Sequence, residues 1–108
     1  MGVERVVKFS AVPALPWAAV ARALAARQWT GSIRMIDSLP AFPDETPPDD
    51  WKELRVGFPA GMVTLRRDGD SVRCVTWGTA DRDLLAAQTA CAEALAEVGG
   101  GSVVPEAA

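Results

Sequence analysis

Residues 61–98 read GMVTLRRDGDSVRCVTWG followed by TADRDLLAAQTACAEALAEV, a β-hairpin leading directly into a helix. Asp68-Gly69 is a two-residue turn signal of the type I′ kind, in which both central residues take positive φ. With that turn as pivot, Arg67 faces Asp70, Leu65 faces Val72, Val63 faces Cys74 and Met62 faces Val75. Side chains alternate across a strand, so these pairs sort onto two faces. One face collects Val63, Leu65, Val72 and Cys74. The other collects Thr64, Arg66, Ser71 and Arg73, with Met62, Val75 and Trp77 at its far end. Turn and hydrophobic alternation are independent signals, and they agree: a one-residue slip would carry arginines to the core face.

The helix that follows is capped by Thr79 or Asp81, and Asp81 and Asp83 suit its positive end. Leu84, Cys91, Leu95 and Val98 form its apolar stripe, flanked by Leu85 and Ala92. Gln88 lies within that stripe and is expected to reach a backbone partner. Residues 99–108, GGGSVVPEAA, read as a flexible C-terminal tail, which leaves residues 1–98 as a single domain.

Upstream, residues 3–12 read as a strand that turns Val7 and Phe9 to the core and Val6, Lys8 and Ser10 away, ended by Pro13. A helix over about 16–28 presents Trp17, Val20, Ala21 and Leu24, and Thr30-Gly31 stops it. Residues 32–37 form a second strand that is partly apolar on both faces, so its parity stays open. Leu54, Val56 and Phe58 alternate in a third strand, residues 54–58. Pro59-Ala60-Gly61 turns the chain, and setting Phe58 opposite Val63 and Val56 opposite Leu65 keeps one apolar face. Residues 38–51 hold four prolines and four acids in one long irregular segment. Segments of this length inside compact domains are usually binding loops, lids or disordered.

The element order is β-α-β-β-β-β-α. One apolar sheet face and two amphipathic helices predict an α+β two-layer sandwich, mostly antiparallel, with both helices packed on one face. The order is similar to that of the TATA-binding-protein-like folds, a likeness of topology that carries no residue over and implies no function.

Composition excludes more than it assigns. The 108 residues include no histidine, which removes the commonest general base, the commonest metal ligand and the His-activated nucleophiles. Cys74 and Cys91 are too few for a zinc site and fall on core faces, where buried thiols are the ordinary reading. The acids of residues 44–50 lack calcium-loop spacing, and no phosphate-binding or dinucleotide motif occurs. No catalytic residue, metal or cofactor is assigned. No apolar run is long enough to span a membrane. The N-terminus lacks a signal-peptide core, and Val6 stands where a myristoylation motif needs Ser or Thr, so the expected location is cytoplasmic.

One surface stands out. If the apolar face meets the helices, the other sheet face collects Lys8, Arg34, Arg55, Arg66 and Arg73, with Met62, Val75 and Trp77 beside them. Arginine next to tryptophan is the composition of an interface centre. The expectation is a non-catalytic protein-binding domain, adaptor- or inhibitor-like, whose partner is another protein or a second copy, with Arg55, Arg66, Arg73, Met62, Val75 and Trp77 in contact. A competing account folds the acidic segment back over this face, pairing Asp44 or Asp49 with Arg55 or Arg73. The alternative function is a small-molecule binder or enzyme with a pocket between residues 38–51 and the sheet, lined by Leu39, Phe42 and Trp51. Single-stranded nucleic acid ranks third, because the chain's net charge is -3 and no RNP-like motif is present.

Overall fold

Alternating apolar residues in residues 53–76 build the centre of the molecule, whose computed structural model describes residues 3–42, 45–77 and 81–104. The chain runs β1 (Val3–Lys8), α1 (Trp17–Ala26), β2 (Ser32–Ile36), β3 (Leu39–Pro40), β4 (Glu53–Phe58), β5 (Gly61–Asp68), β6 (Ser71–Thr76), α2 (Arg82–Gly99) and β7 (Ser102–Val104). The strands form one seven-stranded sheet in the order β3-β2-β4-β5-β6-β1-β7, and every neighbouring pair is antiparallel. Both helices lie on one face. Trp17, Val20 and Leu24 of α1 and Leu84, Ala87, Cys91 and Leu95 of α2 share one core with Val7, Ile33, Leu54, Val56, Val63, Leu65, Val72 and Cys74. The two-layer α+β sandwich is therefore observed, with β3 and β7 added at its edges.

Both hairpin registers are displaced by two residues from expectation. Asp68 pairs Ser71 and Leu65 pairs Cys74, so the turn residues are Gly69 and Asp70. Gly69 takes φ +61, while neither Asp68 nor Asp70 is in the positive-φ region. This is the pattern of a turn with glycine at its first central position, and it spares aspartate the steric penalty of the left-handed region. Between β4 and β5, Phe58 pairs Gly61 and Val56 pairs Val63. Only Pro59 and Ala60 are left to turn, and Gly61 supplies φ +143. A two-residue displacement preserves the face of every side chain, which is why the assignment of faces stands although the pairings do not.

The parity of β2 is decided by a bulge. Ile33 pairs Val56 and Ile36 pairs Leu54, with the register shifting between Ile33 and Met35. The extra residue lets both isoleucines reach the core. Beyond it, Asp37 and Ser38 take φ 49 and 70, a two-residue turn that sets Ile36 against Leu39. Asp37 Oδ1 accepts from the backbone N–H groups of Lys52 and Glu53 at 2.7 and 2.9 Å, tying the turn to the start of β4.

The helix ends also differ from expectation. α1 stops before Thr30-Gly31. Gln28 takes φ 66, and the N–H groups of Gln28 and Trp29 donate to Ala25 O and Leu24 O at 2.9 and 3.0 Å. That is a Schellman motif with glutamine in the place glycine usually fills. Asp81 caps α2, its side chain accepting from Leu84 N at 2.9 Å; Thr79 lies outside the described residues. Residues 99–104 are not a loose tail. Gly100 closes α2 at φ 70, and β7 then pairs β1 through Val6, Val7 and Lys8. A Cβ on Gly101 would lie 2.6 Å from Lys8 O, so only glycine lets the chain pass this close to β1. Residues 105–108 of the expected tail lie outside the described residues.

Candidate functional site

The sheet face opposite the helices carries Glu4, Val6 and Lys8 of β1, Glu53, Arg55 and Gly57 of β4, Met62, Thr64, Arg66 and Asp68 of β5, and Ser71, Arg73 and Val75 of β6, as the registers require. Trp77 continues β6. Among the described residues no helix covers this face, yet Thr64 and Val75, paired across β5 and β6, are only 1% and 2% exposed. Their cover is made of long side chains. The Arg66 guanidinium stands 5.5 Å from the centroid of the Trp77 ring, which lays the indole back along the sheet over this pair. Trp77 is nonetheless 56% exposed and Met62 43%. The centre of the face is thus a roof of arginine stems and one indole.

Five of the six residues expected in a partner contact, Arg55, Arg66, Arg73, Met62 and Trp77, lie together on this surface and reach solvent. Val75 shares the face but lies beneath it. Being short and central, it is covered by its longer neighbours and offers a partner no surface.

The same face supplies its own counter-ions. Glu53 accepts from Arg66 Nε at 2.8 Å and lies 3.8 Å from Arg55 Nε. Arg73 lies 3.9 Å from both Glu4 and Asp68. Strand alternation alone places Glu4 and Glu53 here; Asp68 joins only because the turn is displaced. Arg34 also lies on this side: a Cβ on Gly57 would come within 2.8 Å of its Nε, so Gly57 leaves a bed for the arginine. Among the described residues the face holds five cations, Lys8, Arg34, Arg55, Arg66 and Arg73, against three anions. It is positive on a chain whose net charge is -3.

Among the described residues, no carboxylate of the acidic segment pairs with these arginines. The segment is held on the other side of the sheet by Arg67, whose side chain points toward the helices. Arg67 donates to Asp49 O at 2.8 Å and Pro13 O at 3.2 Å, with its guanidinium 4.4 Å from the centroid of the Trp51 ring. Burial lowers the pKa of Arg67, opposed by the charges of Asp50, Asp49 and Asp37. Trp51 is fully buried and donates from Nε1 to Leu15 O at 3.0 Å. Asp44 lies outside the described residues.

The three residues expected to line a pocket are therefore not brought together. Trp51 is a core residue, whereas Leu39 and Phe42 are 68% and 75% exposed. An open cleft of about 360 Å³ beside the segment is lined by Val12, Asp50, Lys52, Arg67, Asp68 and Gly69 instead. Among the described residues, no three His, Cys, Asp or Glu side chains converge on a metal-binding position, and no helix is long and apolar enough to cross a membrane.

No family model, curated protein or solved structure matches this chain.

The thiols belong to the core. Cys74 of β6 and Cys91 of α2 are buried and free, and Gln88 Nε2 donates to Cys74 O at 2.8 Å, the backbone contact expected of a buried amide. Burial pushes the Cys74 thiol up to about 12, partly offset by the Arg5 charge, and raises Cys91 likewise, with Cys74 adding to it. Both hold their protons in the folded state at pH values where the unfolded chain has lost them. Stability from this source is complete below the ordinary value of 9.0 and falls as pH rises toward about 12. Two outcomes are expected: native protein that leaves a thiol reagent unreacted at neutral pH until denaturant is added, and an unfolding midpoint that drops above pH 9, less steeply in Cys74→Ala.

Proposed function

We propose that this chain is a non-catalytic protein-binding domain that docks a partner protein on the uncovered sheet face. One observation carries the reading: Trp77 and Met62 stand exposed on the sheet, beside Arg55, Arg66 and Arg73, with no helix or strand of the described residues over them. An indole flanked by arginines supplies large contact area with little rotamer freedom to lose, and such residues dominate the energetics of protein interfaces. The surplus of cations favours a partner with a negative surface. An adaptor or inhibitor role in the cytoplasm suits this reading, since a reducing compartment keeps Cys74 and Cys91 as thiols.

The test is capture from the native host by the purified domain, with mass spectrometry of what is retained. Arg66→Glu with Arg73→Glu is expected to lose the retained protein, while Arg22→Glu, on the exposed side of α1, keeps it. Equal retention by all three proteins, with circular dichroism showing each folded, would remove the sheet face from consideration.

A further inference from the structure

We infer that the sheet face is also recognised by a second copy of this chain, through the loop that displays Phe42. The inference rests on the docking role proposed for that face and names an occupant for it. Three observations carry it.

Phe42 is the most exposed large apolar side chain of the described residues, at 75%, and Leu39, three residues before it, is 68% exposed. Its loop is shaped, because Glu45 N donates to Phe42 O at 3.0 Å and Phe42 N donates to the Glu45 carboxylate at 3.3 Å. An aromatic ring held in water by a backbone that is itself hydrogen-bonded is what an interface anchor requires.

The loop is the electrostatic complement of the face. Glu45 sits beside Phe42, and Asp49 and Asp50 of the same segment are also exposed, whereas the sheet face holds five cations to three anions. Arg73 meets its own counter-ions only at 3.9 Å, so it can turn to a better-placed carboxylate. An exposed aromatic on an acidic segment matches an exposed indole on a cationic face.

The loop is kept from its own face. Arg67 and Trp51 tether Asp49 and its neighbours on the helix side of the sheet. The contact is therefore made between copies. Pairing of sheet edges is disfavoured, since β3 is two residues long and contains Pro40 and β7 is three residues long.

The test is the molar mass of the purified chain by sedimentation across concentration, at low and high salt. The expected result is a rise above the 11.4 kDa monomer with concentration, reversed by salt. Phe42→Ala alone, Arg66→Glu with Arg73→Glu, and Asp49→Lys with Asp50→Lys are each expected to weaken association roughly tenfold or more. Mixing the two charge-reversed proteins is expected to restore a heterodimer that neither forms alone. A chain that stays monomeric at every concentration overturns the inference. So does association that survives Phe42→Ala and the loop reversal. If capture of another protein still depends on Arg66 and Arg73 in either case, the docking role stands without this occupant.

Discussion

Replacing Trp51 with alanine is expected to destabilise the domain by about 3–5 kcal/mol, the range for removing a large buried aromatic side chain. The residue is fully buried, and it joins three parts of the chain. Its Nε1 holds Leu15 O on the approach to α1. Its ring lies under Arg67 of β5, and its backbone N–H closes the turn from Pro48 at 3.1 Å. Trp51→Phe keeps most of the volume but leaves the Leu15 carbonyl without its donor, so a smaller loss of about 1–3 kcal/mol is expected. Urea titration followed by circular dichroism separates the two, through a lowered midpoint in both and a larger shift in the alanine variant. Equal stability of Trp51→Phe and the parent would show that the indole hydrogen bond contributes nothing net.

Arg67→Met is expected to cost about 2–3 kcal/mol, the scale of hydrogen bonds made by a charged donor, with the aliphatic stem retained. The guanidinium spans Pro13 O, Asp49 O and the Trp51 ring at once. Lysine would not restore the function, because a single ammonium cannot fork between two carbonyls while stacking on an indole. Loss of this tether should expose residues 45–50 to protease before global unfolding. The contrast is Arg66→Met on the opposite face, where the exposed pair with Glu53 is worth only about 0–1 kcal/mol. If Arg66→Met is as damaging as Arg67→Met, the division of the sheet into a structural side and an open side is wrong.

Those two arginines are adjacent in sequence, and their difference shows how far alternation can be read. Period 2 places Arg66 with Arg73 on one side and Val63, Leu65, Val72 and Cys74 on the other, and the structure agrees. The same period also assigns Arg67 to the core side. What it does not reveal is that a tryptophan sixteen residues earlier waits there under the guanidinium, and that two carbonyls from separate segments accept from Arg67. Trp51 therefore reads in the sequence as an anchor or pocket wall, and its burial is legible only once Leu15 and Arg67 are seen around it. Glu53 and Glu4 were within reach of the same reasoning; a count of anions by parity would have found them. The burial of Val75 was not, because it depends on the direction taken by the Trp77 ring.

The sequence alone assigned the helix side and the open side of β1, β4, β5 and β6, and with that the α+β layering and the chemical character of the open face. It did so because facial assignment has period 2 and tolerates a register displaced by two residues. Tertiary structure alone decided the pairings, the bulge that turns both Ile33 and Ile36 inward, the pairing of residues 102–104 with β1, and the side of the sheet on which the acidic loop is tied. These depend on contacts between segments far apart in the chain: where Gly69 and Gly61 can take positive φ within a closed sheet, how closely Gly101 passes Lys8, and which carbonyls lie within reach of Arg67. None of these is a property of any single stretch, so no local pattern records them.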